Sequence, residues 1–196
     1  MTPQNFIFFG IVGSGKGTQA KLLMDFLKKR DGRESVYIYP GDEYRRLITS
    51  GNYTGALIKD SVAQGHIQPG FLTDAIVTNI LVSQLTADKH IITDGYPREI
   101  TQSQNLEEVL EFYRRPGAQI ICIELSQAEA TRRNLKRGRH DDTEEGLAKR
   151  FEEYERKVIP AMNYFHGQTG YTIYNINGEQ SVADVHRDVV KALGFE

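Results

Sequence analysis

The chain carries one cysteine in 196 residues, Cys122, set inside an apolar run. A single thiol excludes an internal disulfide and any four-cysteine zinc centre, and this one reads as an inert core residue. No apolar run approaches the ~20 residues that cross a bilayer as a helix, and Met1-Thr-Pro-Gln-Asn5 leads into a strand without a secretion-signal profile. A soluble, cytoplasmic protein is expected. Charge of one sign is also missing: the formal net charge is −2, which argues against a general nucleic-acid or anionic-membrane binder and makes any basic site local. The five histidines, His66, His90, His140, His166 and His186, show no metal-ligand spacing with carboxylates or cysteine. Each reads as a surface or turn residue, and no structural zinc follows. Internal repeats, low-complexity tracts and linkers are absent too, so one continuous domain, residues 1–196, is expected.

What is present is ordinary for a compact fold, with 39% hydrophobic and 26% charged residues. Short apolar runs at 6–9, 35–38, 90–94, 118–125 and 171–176 read as strands. Between them lie helical stretches near 19–29, 41–48, 54–64, 72–85, 101–113 and 126–136, one from Asp142 or Thr143 to about Tyr164, and one after Ser181. Thr101 with Gln104, Ser126 with Glu129, and Ser181 with Asp184 have the spacing of caps. Pro160 should kink or split its helix. Val182, Val185, Val189 and Leu193 make one apolar stripe on the last helix. Strand and helix alternate throughout, the pattern of a parallel sheet covered on both faces.

The chain is organised around Phe6-Ile-Phe-Phe-Gly10-Ile-Val-Gly13-Ser14-Gly15-Lys16-Gly17-Thr18. A buried strand passes through a glycine-rich turn into a helix. Gly10, Gly13, Gly15 and Gly17 let consecutive N–H groups curl inward, and the helix adds the positive end of its dipole. Such a cup takes an oxyanion. Lys16 supplies a point charge for the β- and γ-phosphates of a nucleoside triphosphate, and Thr18, with Ser14, supplies hydroxyls near a metal. The generic phosphate-loop pattern asks for Ser or Thr directly after the lysine, whereas Gly17 stands there.

Two further groups handle phosphate. Asp94-Gly-Tyr-Pro-Arg98 falls at the carboxyl end of a strand, where open α/β sheets hold ligands. Asp94 is placed to hold a magnesium-bound water, Gly95 allows close backbone approach, and Arg98 can fork onto a phosphate. The alternative is a turn in which Asp94 and Arg98 pair with each other. Arg133, Arg137, Arg139 and Arg150 surround one turn. Arg133 and Arg137 share a helix face, and Asp141 and Asp142 can partly neutralise the group. A solvated charge cluster is the competing reading. The run Glu152-Glu-Tyr-Glu155 reads as a solvated helix face, and the ten tyrosines as scattered.

The form Gly-x-x-Gly-x-Gly-Lys-Gly-Thr resembles the nucleoside monophosphate kinases, adenylate kinases above all. Asp94-Gly-Tyr-Pro-Arg98 followed by Gln102 resembles the Asp-Gly-Phe-Pro-Arg and glutamine of that family. Gly41-Asp-Glu-Tyr-Arg45, Gly65-His-Ile-Gln-Pro69, the arginine run and the loop Asn175 to Ser181 continue the likeness along essentially the whole chain. It implies a P-loop NTPase fold with a central five-stranded parallel sheet, a monophosphate-binding insert over 39–68 and a very short lid over 138–142. It implies transfer of the γ-phosphoryl of MgATP to AMP, with Mg²⁺ as cofactor and a monomer as the working form. On the match, Arg98 and Arg45 clamp the monophosphate, Gln102 reads the adenine edge, and Gly95 lines the same site. Arg133 packs against the ATP base, Gln180 belongs to the adenine-facing loop, and Arg137, Arg139 and Arg150 surround the transferring phosphoryl. Asp141 and Asp142 help hinge the lid. Tyr39 and Pro40 stand where the family has Ser and Thr, and Gln68 replaces a valine near the adenine. A UMP/CMP or broad-specificity kinase is therefore the alternative acceptor reading, and a nucleotide-dependent switch without an acceptor the alternative from another class.

Overall fold

The computed structural model describes residues 2–138 and 142–195. Its centre is one parallel sheet of five strands, β1 (Asn5–Phe9), β2 (Ser35–Ile38), β3 (His90–Asp94), β4 (Ala118–Glu124) and β5 (Tyr171–Asn177), in the order β2-β3-β1-β4-β5. Alternate strand residues face opposite sides. Ile7, Phe9, Ile38, Ile91 and Ile120 pack with Val77, Leu81, Leu106, Leu110 and Phe165 on one face. Phe6, Phe8, Ile92, Ile121 and Ile123 pack with Ala20, Leu23, Leu27, Val185 and Val189 on the other. Both faces are therefore covered, and the strands read as nearly continuous apolar runs for that reason.

The helices are α1 (Lys16–Asp31), α2 (Pro40–Thr49), α3 (Tyr53–Ala63), α4 (Gly70–Gln84), α5 (Ile100–Phe112), α6 (Gln127–Arg137), α7 (Glu144–Glu153), α8 (Ile159–Asn163) and α9 (Val182–Ala192). Helix α1 starts three residues earlier than its apolar periodicity suggests, because Gly15 at φ 96° caps it and Lys16, Gly17 and Thr18 form its first turn. The expected caps Ser126 and Ser181 accept from the N–H of Glu129 and of Asp184. The Thr101 and Gln104 box does not form. Glu99 occupies the cap position and Thr101 is already helical.

Pro160 acts as expected, though through a specific device. A π-turn over Tyr154–Val158 separates α7 from α8, so Pro160 falls in the first turn of α8. Val182 departs from the predicted apolar stripe: at the open start of α9 it is 57% exposed, while Val185, Val189 and Val190 are buried. His90 is not a surface histidine. It lies in β3 at 1% exposure, its Nδ1 accepting from the Gln4 N–H at 3.0 Å and its Nε2 lying 3.2 Å from Asp31. A buried polar ring needs such partners, and they were invisible in sequence because they lie 59 and 86 residues away. Among the described residues no helix is long and apolar enough to cross a membrane.

Strand register sets up the site. Phe8 lies beside Asp94, Phe9 beside Cys122 and Ile38 beside Thr93. The residues that leave the carboxyl ends of β1, β2 and β3 therefore emerge together.

Candidate active site

A cleft of about 830 Å³ opens at those carboxyl ends. The turn after β1 forms its floor. Gly10, Gly13 and Gly15 have φ of 140°, 87° and 96°, and Gly13, Gly15, Lys16, Gly17 and Thr18 line the cleft. Two of these glycines are required by space as well as by dihedral angle. A Cβ on Gly13 would stand 2.4 Å from the Asn134 amide nitrogen, and one on Gly10 would stand 2.7 Å from Ser14 Oγ. At Gly17 a Cβ would lie 2.9 Å from Asp94 Oδ2. A Ser or Thr there, the generic residue after the lysine, would crowd the Asp94 carboxylate.

Lys16 folds back over the turn. Its Nζ donates to the carbonyls of Gly10 (2.6 Å) and Ile11 (2.9 Å) and approaches Ser14 Oγ at 3.5 Å. Enclosure strips water from the ammonium, and Arg98 and Arg137 repel it; Asp94 opposes them in part. The outcome is a pKa lowered to about 8. A charge held this weakly hydrated gains from an incoming phosphate. Ser14 itself is buried.

Asp94 ends β3 as a buried carboxylate. It does not pair with Arg98. Its Oδ2 accepts from Tyr37 Oη at 2.9 Å, and burial together with that carboxylate holds the Tyr37 phenol well above its ordinary pKa. Arg98 instead folds over Gly95, Nε donating to the Gly95 carbonyl at 2.8 Å. Gly95 has φ 70°, and a Cβ there would stand 2.8 Å from Arg98 Nη2. Gln102 is fully buried and outside the cleft lining. Its Oε1 accepts from the Arg98 N–H at 2.8 Å, which fixes the loop, while its Nε2 has no partner among the described residues.

Of the arginine cluster, Arg137 and Arg150 meet at one carboxylate, while Arg133 is held elsewhere. Asp142, with its side chain fully buried, accepts from Arg137 Nη2 at 2.7 Å and Nε at 3.0 Å and from Arg150 Nη1 at 3.2 Å. Arg133 donates to the Gly178 carbonyl (2.9 Å) and to Glu129 (2.7 Å). Gln180 donates to Asn177 O and Asp188, and both it and Arg133 line the cleft. Arg139, with His140 and Asp141, lies outside the described residues.

On the β2 side, Pro40, Gly41, Arg45 and Gln68 line the cleft. Both polar ends of Gln68 are used internally, Oε1 accepting from Ser61 Oγ (2.9 Å) and Nε2 donating to the His66 carbonyl (3.0 Å). Arg45 pairs with Asp42.

Sequence reasoning missed several lining residues. Asn134 is fully buried and joins the turn to the arginine helix: its amide donates to Val12 O (3.1 Å), and its Oδ1 accepts from Arg137 (2.6 Å). Its place between two arginines on α6 was the only available signal. Tyr37, Tyr39, Tyr44 and Tyr154 all face the cleft, so these tyrosines are not scattered in space. Glu153 is not on a solvated face. It is 5% exposed, paired with Arg156 (3.0 Å) and Lys157 (3.5 Å), because α7 turns that position inward before the π-turn.

The adenylate kinase family model matches residues 8–170. Proteins similar to this chain over nearly their whole length include an adenylate kinase from Prochlorococcus marinus, 32% identical, with 96% of each chain covered. Adenylate kinase 1 from a Nostoc species is 32% identical, covering 96% of this chain and 97% of its own. An adenylate kinase from Bacteroides fragilis is 30% identical over 96% and 97%.

Proposed function

The chain belongs to the adenylate kinase family, and from that premise we propose that it moves the γ-phosphoryl of ATP directly to AMP, reversibly, giving two ADP. One observation carries the reading. A single cleft is lined by a phosphate loop with its lysine, by Arg45 and Arg98, and by Arg133, Arg137 and Arg150. A switch that used nucleotide without an acceptor would have no use for Arg45 and Arg98.

ATP lies with its phosphates in the cup of residues 13–18 and its base between Arg133 and the Gly178 to Gln180 loop. AMP lies with its phosphate between Arg45 and Arg98. An AMP phosphate oxygen attacks the γ-phosphorus as the bridging oxygen to the β-phosphorus leaves, so one P–O bond forms and one breaks, and the electron pair departs on ADP. No side chain need accept a proton. Lys16, Arg137, Arg139 and Arg150 stabilise the charge spread over the equatorial oxygens. Asp142 holds Arg137 and Arg150 in one orientation beforehand, so little reorganisation is needed.

The donor set fits Mg²⁺. Asp94 and Thr18 offer hard oxygens at the cleft, and no group of three or more His, Cys, Asp or Glu is gathered around a point among the described residues. Thr18 and Asp94 would hold the ion together with the bound phosphates. The chemistry it would supply there is positive charge against the phosphate oxygens. The stretch 39–68 forms the acceptor insert, 138–142 the lid, and the working protein is a cytoplasmic monomer that engages neither nucleic acid nor membrane.

Gln102 stands at the position that the family resemblance assigns to the adenine edge, and on that ground it favours an adenine acceptor. Pro40, which has no donor, and Gln68, which is internally satisfied, keep UMP and CMP as the competing acceptors. A coupled assay with ATP and each nucleoside monophosphate tests this. AMP should give the highest kcat/KM; a higher value for CMP or UMP reassigns the acceptor, and turnover of none removes the kinase reading.

A further inference from the structure

Tyr37 and Tyr39 leave the carboxyl end of β2 two residues apart in extended chain, so their side chains share a face. Their ring centres are 6.0 Å apart with planes tilted by 31°. Tyr37 holds Asp94. The outer ring, Tyr39, carries Arg45: the guanidinium carbon lies 5.3 Å from the ring centre, inside the ~6 Å reach of a cation–π contact. Helix α2 makes room for this. A Cβ on Gly41 would stand 2.8 Å from Tyr39 Cζ and 2.9 Å from its hydroxyl, so only glycine lets the ring lie across the first turn. Burial works against the Arg45 charge, but the Tyr39 hydroxyl and the Asp42 carboxylate more than offset it and raise its pKa above the ordinary guanidinium value.

A guanidinium stacks through its face and hydrogen-bonds through its edge. Resting on a ring leaves the N–H edge facing outward, where a phosphate can replace the Asp42 carboxylate that it now holds. The Arg45 side chain is 43% exposed, and without a platform it would spread over many rotamers whose freedom must be lost on binding. The serine that the family usually has here offers no face.

We propose that Tyr39 is a positioning residue of the acceptor site, an aromatic platform that sets the plane of Arg45 for the acceptor phosphate and, through Tyr37, ties that clamp to Asp94 at the donor end. The inference rests on the reading of Arg45 as the acceptor clamp.

The test is steady-state kinetics with separate KM values for AMP and ATP in Tyr39→Phe, Tyr39→Leu, Tyr39→Ser, Arg45→Ala and the double variant Tyr39→Leu/Arg45→Ala. Losing the platform should raise the AMP KM about tenfold in the Leu and Ser variants, with the ATP KM within about twofold. Leu keeps the apolar bulk without the π-face, which separates the platform from simple packing. Phe should recover the AMP KM to within about threefold of wild type. With Arg45 already removed, Tyr39→Leu should add less than about twofold, because Tyr39 acts through Arg45. Equal rises in both KM values, or multiplying effects in the double variant, would overturn the platform while leaving the clamp intact. An unchanged AMP KM in Arg45→Ala would remove the clamp assignment and the platform with it.

Discussion

At the scale of single residues the site is held by groups whose partners decide their behaviour. Lys16 shows the consequence for pH. Its folded pKa of about 8 lies below the ordinary lysine value of 10.5, so the unfolded chain binds more protons between those limits. Its charge therefore opposes folding below pH 8, and that cost is relieved as pH rises from 8 towards 10.5. Lys16→Met should lower kcat by at least 100-fold and yet raise Tm at pH 7, measured by coupled assay and scanning calorimetry. Phosphates favour the charged lysine, so ATP binding at pH 8 should take up protons, and affinity should fall as pH rises beyond 8. Calorimetry in buffers of different ionisation heat reads the uptake, which Lys16→Met should abolish. Asp142 contributes to stability through its ion pairs. Asp142→Ala removes the buried carboxylate that Arg137 and Arg150 share, and should destabilise by about 3 kcal/mol with about a tenfold loss of kcat. An unchanged denaturation midpoint would show that the arginines re-pair at no cost.

At the scale of elements, the five strands were legible to within a residue or two, because both sheet faces are covered and each strand is a short apolar run. The caps Ser126 and Ser181 were legible for the same local reason. The Thr101 box failed because the turn after Arg98, held by Gln102, starts α5 earlier than its cap pattern suggests. The phosphate loop was legible in sequence, but the lack of room at Gly17 was not, since it depends on Asp94, 77 positions away. This gives a prediction for the loop. Gly17→Ala places a methyl 2.9 Å from Asp94 Oδ2, and should displace the carboxylate from Tyr37, lower activity about tenfold and raise the magnesium concentration needed for half-maximal rate. A magnesium titration indistinguishable from wild type would mean that Asp94 has no part in holding the ion.

At the scale of the whole molecule, the parallel sheet gathers chemistry from separate stretches of sequence at the carboxyl ends of its strands. The sites of Lys16, Arg98 and the arginine turn were visible as motifs, whereas Asn134, Tyr37 and Glu153 belong to the site only through the fold. The segment between α6 and α7 is short, and on the proposed reading it gives little cover for ATP. Water exclusion then falls to the insert and the arginines. The protein should hydrolyse ATP slowly without acceptor, below its transfer rate and above a Lys16→Met control; release of phosphate at the control rate would show that the short lid seals the cleft.

The central claim is that one cleft aligns donor and acceptor for a single direct displacement. It is tested most directly with ATP made chiral at the γ-phosphorus by oxygen isotopes and sulfur, with AMP as acceptor and the configuration of the transferred group read by phosphorus NMR. One in-line transfer predicts inversion at phosphorus; retention would require a phosphorylated side chain between two displacements and would contradict the account.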